Sequence, residues 1–264
     1  MRPRIGVALG SGGARGLAHI GVLKVLEEHQ IPIDFISGSS MGSFIGAMYA
    51  NGNDLFLMEK LANQLKRKHW MDISVPKLGL VSGEKVKELI RILTHNKNIE
   101  DLKIPLAIVA TNIETGEREV FTKGPIYKAV RASISIPGIF VPEEIDGKVY
   151  VDGGVLDRVP VHAVRKMGAD FIIAIDVGMQ NARQIKVKNI FDVIAQSIDI
   201  MERQNFQQQI LAADYVIRPD VGHISSISFS EIQSIIDEGY RAAKENIGVI
   251  EELIKKWGEK NNDE

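Results

Sequence analysis

The chain has 264 residues, a formal net charge of −2 and no cysteine, and it is 45% apolar and 25% charged. This is ordinary globular composition with enough length for a packed core; it gives no reason to expect a nucleic-acid partner, and it excludes disulfides, thiolate metal sites and a cysteine nucleophile. A cytoplasmic location is the expectation: the apolar run at residues 5–9 is too short for a signal peptide, and nowhere do about 18 apolar residues occur in succession.

In chain order, Arg4 to Leu9 reads as a buried strand and Gly10-Ser11-Gly12-Gly13-Ala14-Arg15-Gly16 as a glycine-rich loop. Leu17 to His29 follows as a helix, with Leu17, Ile20, Leu23 and Leu26 at helical spacing. A second strand from Ile33 runs into Gly38-Ser39-Ser40-Met41-Gly42, and Met41 to Ala50 reads as a helix. A β-α-β-α opening implies a parallel sheet with right-handed crossovers. Asp54 to His69 is a helix with an apolar stripe (Leu55, Met58, Leu61, Leu65), a basic end at Lys66-Arg67-Lys68, and Trp70 beyond. The stretch 54–71 reads either as cover for the core or as a substrate-access element at a lipid interface. Residues 73–81 are irregular, and a helix opens at Ser82 or Gly83 and runs to about His95.

Pro105–Thr111 and Arg118–Thr122 are strands joined by a turn, and Pro125 starts a helix that ends near Ser135. Residues 143–151 form a hairpin around Asp146-Gly147, which delivers Asp152-Gly153-Gly154 at its end. After a short helix at Pro160–Met167, Phe171–Val177 is an almost unbroken apolar strand suited to a sheet centre. Residues 187–212 are helical, Tyr215–Arg218 is a last strand, and two helices, Ser230–Glu238 and Gly239–Trp257, close the chain. No repeat or linker divides the chain, so 1–264 is expected to be one domain with a helical C-terminal part over 187–258.

Strand, Gly-x-Ser-x-Gly and helix is the context of a nucleophile elbow, with Ser40 at its tip. Gly38 and Gly42 have a mechanical reason: on so sharp a turn the strand end and helix start nearly touch. A serine nucleophile also needs an oxyanion site and a base. The backbone N–H groups of Ser11, Gly12 and Gly13, opening onto a helix N-terminus, form a positive concavity for an anion. The same loop fits a dinucleotide fingerprint poorly, because Arg15 stands where the third glycine belongs. No Gly-Lys-Ser/Thr follows, so it is not a P-loop. Two histidines come late enough for a Ser-Asp-His order, but His162 falls within a short helix and His223 in a polar loop. Asp152 stands at a strand end before Gly153-Gly154, either as an ordinary turn aspartate or as a base beside open backbone.

Taken together, these stretches resemble the patatin-like phospholipase family of acyl hydrolases, its small bacterial members in particular. The resemblance rests on Gly10 to Gly16 running into Leu17-Ala18-His19-Ile20-Gly21, and on Gly38-Ser39-Ser40-Met41-Gly42. It also rests on Arg131-Ala132-Ser133-Ile134-Ser135-Ile136-Pro137 with Pro142, and on Asp152-Gly153-Gly154-Val155 with Pro160 beyond. These blocks cover most of residues 4–177. The resemblance implies a three-layer α/β fold, a mainly parallel sheet between helices. It implies a Ser-Asp dyad, with Ser40 as nucleophile and Asp152 as base. The oxyanion donors would be Ser11, Gly12 and Gly13, with Arg15 holding that loop or drawing in anionic head groups. The substrate would be an acyl-ester lipid, with peripheral contact at a membrane and with neither cofactor nor metal. A non-catalytic adaptor of the same fold is the alternative. Two positions depart from the family pattern. Ser11 stands where glycine is usual, which matters if its φ is positive; Asp157 is often asparagine in bacterial relatives, and its carboxylate is expected to raise a pKa near Asp152.

Overall fold

The computed structural model describes residues 1–64, 72, 79–178 and 187–261. The end of the helix expected over 54–69, with Lys66-Arg67-Lys68 and Trp70, lies outside the described residues, as does most of the irregular stretch 73–81. At the centre is an eight-stranded sheet. Its strands are β1 (Ile5–Leu9), β2 (Phe35–Ser39), β3 (Leu106–Asn112), β4 (Glu117–Phe121), β5 (Glu143–Ile145), β6 (Lys148–Asp152), β7 (Phe171–Ile175) and β8 (Tyr215–Ile217). The run β3-β2-β1-β7-β8 is parallel throughout. β4 and β6 are antiparallel to β3, and β5 is antiparallel to β6.

Both faces of this sheet are covered, which is why β1, β3 and β7 read as continuous apolar runs rather than alternating ones. Side chains alternate between the two faces. Ile5, Val7, Leu9, Ile173 and Ile175 enter the main core, built with α1 (Ala18–Glu28), α2 (Met41–Ala50), α3 (Leu55–Gln64) and α8 (Ile232–Lys260). The intervening Ala8, Ile172 and Ala174 meet the short α6 (Val161–Lys166) on the other face. That second layer lies close to the sheet: a Cβ on Gly6 would stand 2.6 Å from both Val164 and Ala169. The three-layer α/β arrangement expected from the sequence is present. The remaining α-helices among the described residues are α4 (Glu84–Leu93), α5 (Ile126–Ser133) and α7 (Ile190–Gln209). Among the described residues no helix is long and apolar enough to cross a membrane.

One expectation fails. The two closing helices are a single helix of 29 residues, and Gly239 lies inside it. A glycine costs a helix only about 1 kcal/mol, and here close packing requires one. A Cβ on Gly239 would lie 2.0 Å from the Ala18 carbonyl oxygen, and one on Gly21 would lie 2.0 Å from that of Ile236. The glycines let α1 and α8 pack backbone to backbone.

The pairing of β3 positions the site. Ile108 and Val109 pair with β2 and also with β4, so those two strands occupy opposite edges of β3. Ala110 to Asn112 pair with β4 and also with β6. β6 therefore lies on the same edge as β2, further along. Ser39 is opposite Val109 and Asp152 is opposite Ala110. The C-terminal ends of β2 and β6 thus meet head-on along one edge of β3.

Candidate active site

Ser40 caps the junction of β2 and α2 with φ 53° and ψ −126°. Positive φ is rare for a residue with a Cβ and is the backbone strain expected of an elbow. The neighbouring glycines are required by contact. A Cβ on Gly38 would lie 2.5 Å from the Gly42 carbonyl oxygen, and one on Gly42 would lie 2.1 Å from that of Leu9. The strained turn is held from both sides: the Ser40 N–H donates to Ser133 Oγ (2.9 Å), and Ser43 Oγ donates to the Ser40 carbonyl (2.7 Å). Ser133 Oγ in turn donates to the Val109 carbonyl (2.6 Å). Ser133 was visible only as part of a motif block; its hydroxyl ties the elbow to β3.

Ser40 Oγ donates to Asp152 Oδ2 at 2.6 Å. The other carboxylate oxygen accepts from the Gly154 N–H at 2.8 Å, and the Asp152 carbonyl accepts from Thr111 Oγ1 (3.1 Å). Both side chains of the pair are buried. Gly153 and Gly154 are again contact requirements, since a Cβ would lie 2.2 Å from the Val109 carbonyl oxygen at the first and 2.4 Å from Glu202 Oε1 at the second. Burial, and after it the charge of Glu202, push the Asp152 carboxyl up to about 7, against the smaller opposing effects of its bonds from Ser40 and Gly154. His162 and His223 are both exposed, and neither bonds to the pair among the described residues.

The glycine loop differs in detail from its sequence reading. The Ser11 N–H donates to the Arg158 carbonyl at 2.8 Å and is not free for an anion. The N–H groups of Gly12 and Gly13 donate to no group among the described residues. Gly13 faces the same cavity as Ser40 and Met41. Ser11 does not have positive φ, so serine carries no backbone strain there. Arg15 is fully buried and its guanidinium bonds both carboxylate oxygens of Asp199 at 2.6 Å. It holds the loop, and its burial removes it as a contact for head groups. His19 also serves the loop: its Nε2–H donates to the Gly10 carbonyl (2.8 Å), and burial lowers its pKa to about 4, so the ring is neutral.

The carboxylate that raises Asp152 is Glu202, not Asp157 as expected. Asp157 is itself pushed up to about 6 by burial and pairs with Arg118 Nε at 3.1 Å. Asp199 and Glu202 lie one turn apart on α7 and had no sequence signal, because an acidic pair at that spacing looks like a solvated helix face.

Above Ser40 lies a cavity of about 430 Å³. Met41, Phe44, Ile45 and Met48 line it from successive turns of α2, and Met58, Leu61 and Ala62 line it from α3. Lys188, Asn189, Asp192 and Ser225 give it a polar side. The cavity therefore has an apolar arm that follows α2 away from Ser40 and a polar, Lys188-bearing side.

A sheet with its serine on a strand-to-helix elbow, bonded directly to an aspartate over an apolar cavity, defines an α/β protein of the nucleophile-elbow class. The chain belongs to the patatin-like phospholipase family: residues 7–165 match that family's model. It is 39% identical over 68% of its length to an uncharacterized NTE family protein of Mycobacterium tuberculosis, spanning 51% of that protein. It is 29% identical over 95% of its length to human patatin-like phospholipase domain-containing protein 6, of which it spans 21%. It is 36% identical over 66% of its length to lysophospholipase NTE1 of Pyricularia oryzae, of which it spans 12%. The chain thus spans about half or less of the length of these relatives. The crystal structure of VipD from Legionella pneumophila superposes with a TM-score of 0.65 at 14% identity, covering 97% of this chain and 67% of that one. The type III effector ExoU gives a TM-score of 0.53 at 15% identity, covering 96% and 54%.

Proposed function

We propose that the chain is a serine acyl hydrolase that cleaves the ester of a single-chain lipid, of the lysophospholipase kind, through Ser40 and Asp152. The observation that carries this reading is the 2.6 Å bond from Ser40 Oγ to Asp152 Oδ2 at the mouth of an apolar cavity. In the first half-reaction Asp152 takes the Ser40 proton as Oγ attacks the ester carbonyl. The Gly12 and Gly13 N–H groups stabilise the oxyanion, and the protonated Asp152 gives its proton to the departing alcohol as the C–O bond breaks. In the second, Asp152 takes a proton from water, which attacks the acyl-enzyme, and the fatty acid leaves as Ser40 regains its proton. An ordinary carboxylate is a weak base for this work. One raised to about 7 is matched to neutral pH, and no histidine is then needed.

The apolar arm between α2 and α3 suits an acyl chain, and the names of the fungal relatives, both lysophospholipases, favour a substrate that carries one. Contact at a membrane belongs to the same reading. Phe56 and Leu57 on α3 and Ile190 and Val193 on α7 are exposed, and both helices line the cavity. The test is a fluorophosphonate probe with a panel of lysophospholipids and simple esters. Stoichiometric labelling at Ser40 is expected, with labelling and hydrolysis both lost in Ser40→Ala. No labelling and no hydrolysis of short or long acyl esters would leave the adaptor reading in its place.

A further inference from the structure

Glu202 is buried, charged in its anionic form, and has no role in the half-reactions above. Its surroundings are specific. Glu202 Oε2 accepts from Ser11 Oγ at 3.3 Å and stands 3.5 Å from Arg158 Nη1. Its other oxygen occupies the space over Gly154, 2.4 Å from where a Cβ would be, beside Ser11 Oγ at 2.5 Å from the same point. The carboxyl group is therefore wedged between the glycine loop and the turn that carries Asp152. The loop is also tied to the segment that follows this turn, by the bond from the Ser11 N–H to the Arg158 carbonyl. One turn before, Asp199 grips Arg15 on the same loop. α7 thus reaches the loop through Asp199 and both loop and turn through Glu202.

We propose that Glu202 is a positioning residue of this hydrolase: it keeps the glycine loop in register with the Asp152 turn and places a second buried carboxyl against Gly154, whose N–H binds Asp152. This rests on the Ser40–Asp152 reading of the site. Among the described residues, the following charged and polar groups act on the two carboxyls or lie on the segments packed against them. From the loop come Ser11 and Arg15, from the turn Asp157 with its partner Arg118, and from the segment before α6 Arg158. Asp176, at the end of β7, faces Arg158 Nε at 3.5 Å and Arg218 at 3.8 Å, and Asp199 comes from α7 itself. Ser40 faces Asp152 alone. Of all these groups Glu202 is the one whose charge raises Asp152. Glu202 is itself raised to about 7, by burial first and then by Asp199, with Arg158, Arg15 and Ser11 acting the other way. Both carboxyls therefore titrate near neutrality, and ionising one resists ionisation of the other.

The test is the pH profile of Glu202→Gln, which keeps the size of the side chain and one acceptor oxygen for Ser11 and removes its charge. kcat/KM on a p-nitrophenyl ester, and the rate of fluorophosphonate labelling at Ser40, are followed from about pH 5 to about pH 9. With the neighbouring anion gone, Asp152 ionises more easily, so the acid limb of both profiles moves to lower pH by about one unit. Glu202→Asp keeps the charge but withdraws it from Ser11; it is expected to slow labelling several-fold with the limb close to its wild-type place. Should Glu202→Gln not fold, Ser11→Ala carries the test. Without that hydroxyl the Glu202 anion is less stable, and the limb moves in the same direction by a smaller amount. A wild type that labels and turns over, with an acid limb unmoved in Glu202→Gln and in Ser11→Ala, overturns this proposal while leaving the hydrolase reading intact. A wild type that neither labels nor turns over overturns the hydrolase reading itself.

Discussion

Asp152→Asn is expected to make the protein more stable at pH 8 while removing the proposed hydrolase activity. Burial and Glu202 raise the Asp152 carboxyl from 3.8 to about 7 in the folded protein. The unfolded chain lacks both influences, so the folded state holds the extra proton between about pH 4 and about pH 7. Stability falls with rising pH wherever the folded state binds more protons than the unfolded one. The cost is therefore absent below pH 4, grows through the interval and is complete above about 7. Three units at 1.36 kcal/mol each give about 4 kcal/mol as an upper bound. That figure is already net of the bonds from Ser40 and Gly154, and burying an amide N–H in place of a carboxylate oxygen offsets about 2 kcal/mol of it. A net gain on the order of 2 kcal/mol remains at pH 8.

Urea denaturation of both proteins at about pH 5 and about pH 8 measures the difference. The variant's advantage should be large at pH 8 and small at pH 5. At the same time kcat should fall by about 10²–10⁴, the usual contribution of a general base. An asparagine variant that is less stable at pH 8, or whose advantage does not change with pH, refutes the raised carboxyl and with it the account of how an aspartate acts alone as base.

Ala62 lines the apolar arm of the cavity from α3, and Ala62→Trp should shorten the chain that fits. Excluding about four methylenes at about 0.8 kcal/mol each lowers kcat/KM for an ester of about sixteen carbons roughly 100-fold. An ester of about eight carbons should be affected little, and competition between the two esters reads the change. Arg15→Met leaves Asp199 buried without its partner and should cost about 3–5 kcal/mol; adding Asp199→Leu should recover most of it, as measured by urea denaturation of the two variants.

Much of the site was legible because an elbow makes local demands. Gly38 and Gly42 stand where a Cβ would strike backbone, and Asp146-Gly147 supplies the two positive-φ residues, 52° and 75°, of the hairpin leading to Asp152. What stayed illegible depends on distant partners. Gly239 looks like a stop until Ala18 is seen against it. The Ser11 N–H looks free until Arg158 takes it. α7 misleads most, because its inward face mixes carboxylates with apolar residues. Asp192, Asp199 and Glu202 are buried beside Ala195 and the half-buried Phe191, Ile194 and Ile198, while Ile190, Val193, Ile200 and Met201 are exposed. A rule that places apolar residues inside does not find the acids. Asp199 and Glu202 are inside because Arg15 and Arg158 are already there.

The reason an aspartate meets the serine without an imidazole lies in β3. In a wholly parallel sheet the strand ends lie side by side, about 4.8 Å apart. A carboxylate on a neighbouring strand end then approaches an elbow serine from the flank. Here β3 extends three residues beyond its last pairing with β2, and antiparallel β6 fills the vacated edge. Its C-terminal residue arrives in line with β2, one register position beyond Ser39, with its carboxylate 2.6 Å from Ser40 Oγ. An imidazole between them would need room for a ring and a second hydrogen bond, which this spacing does not leave. The direct contact has a consequence for chemistry. In the proposed mechanism no histidine holds the proton, so the aspartate must itself be basic enough. The buried end of β6 and the carboxyl of Glu202 raise it, at the cost of folding stability.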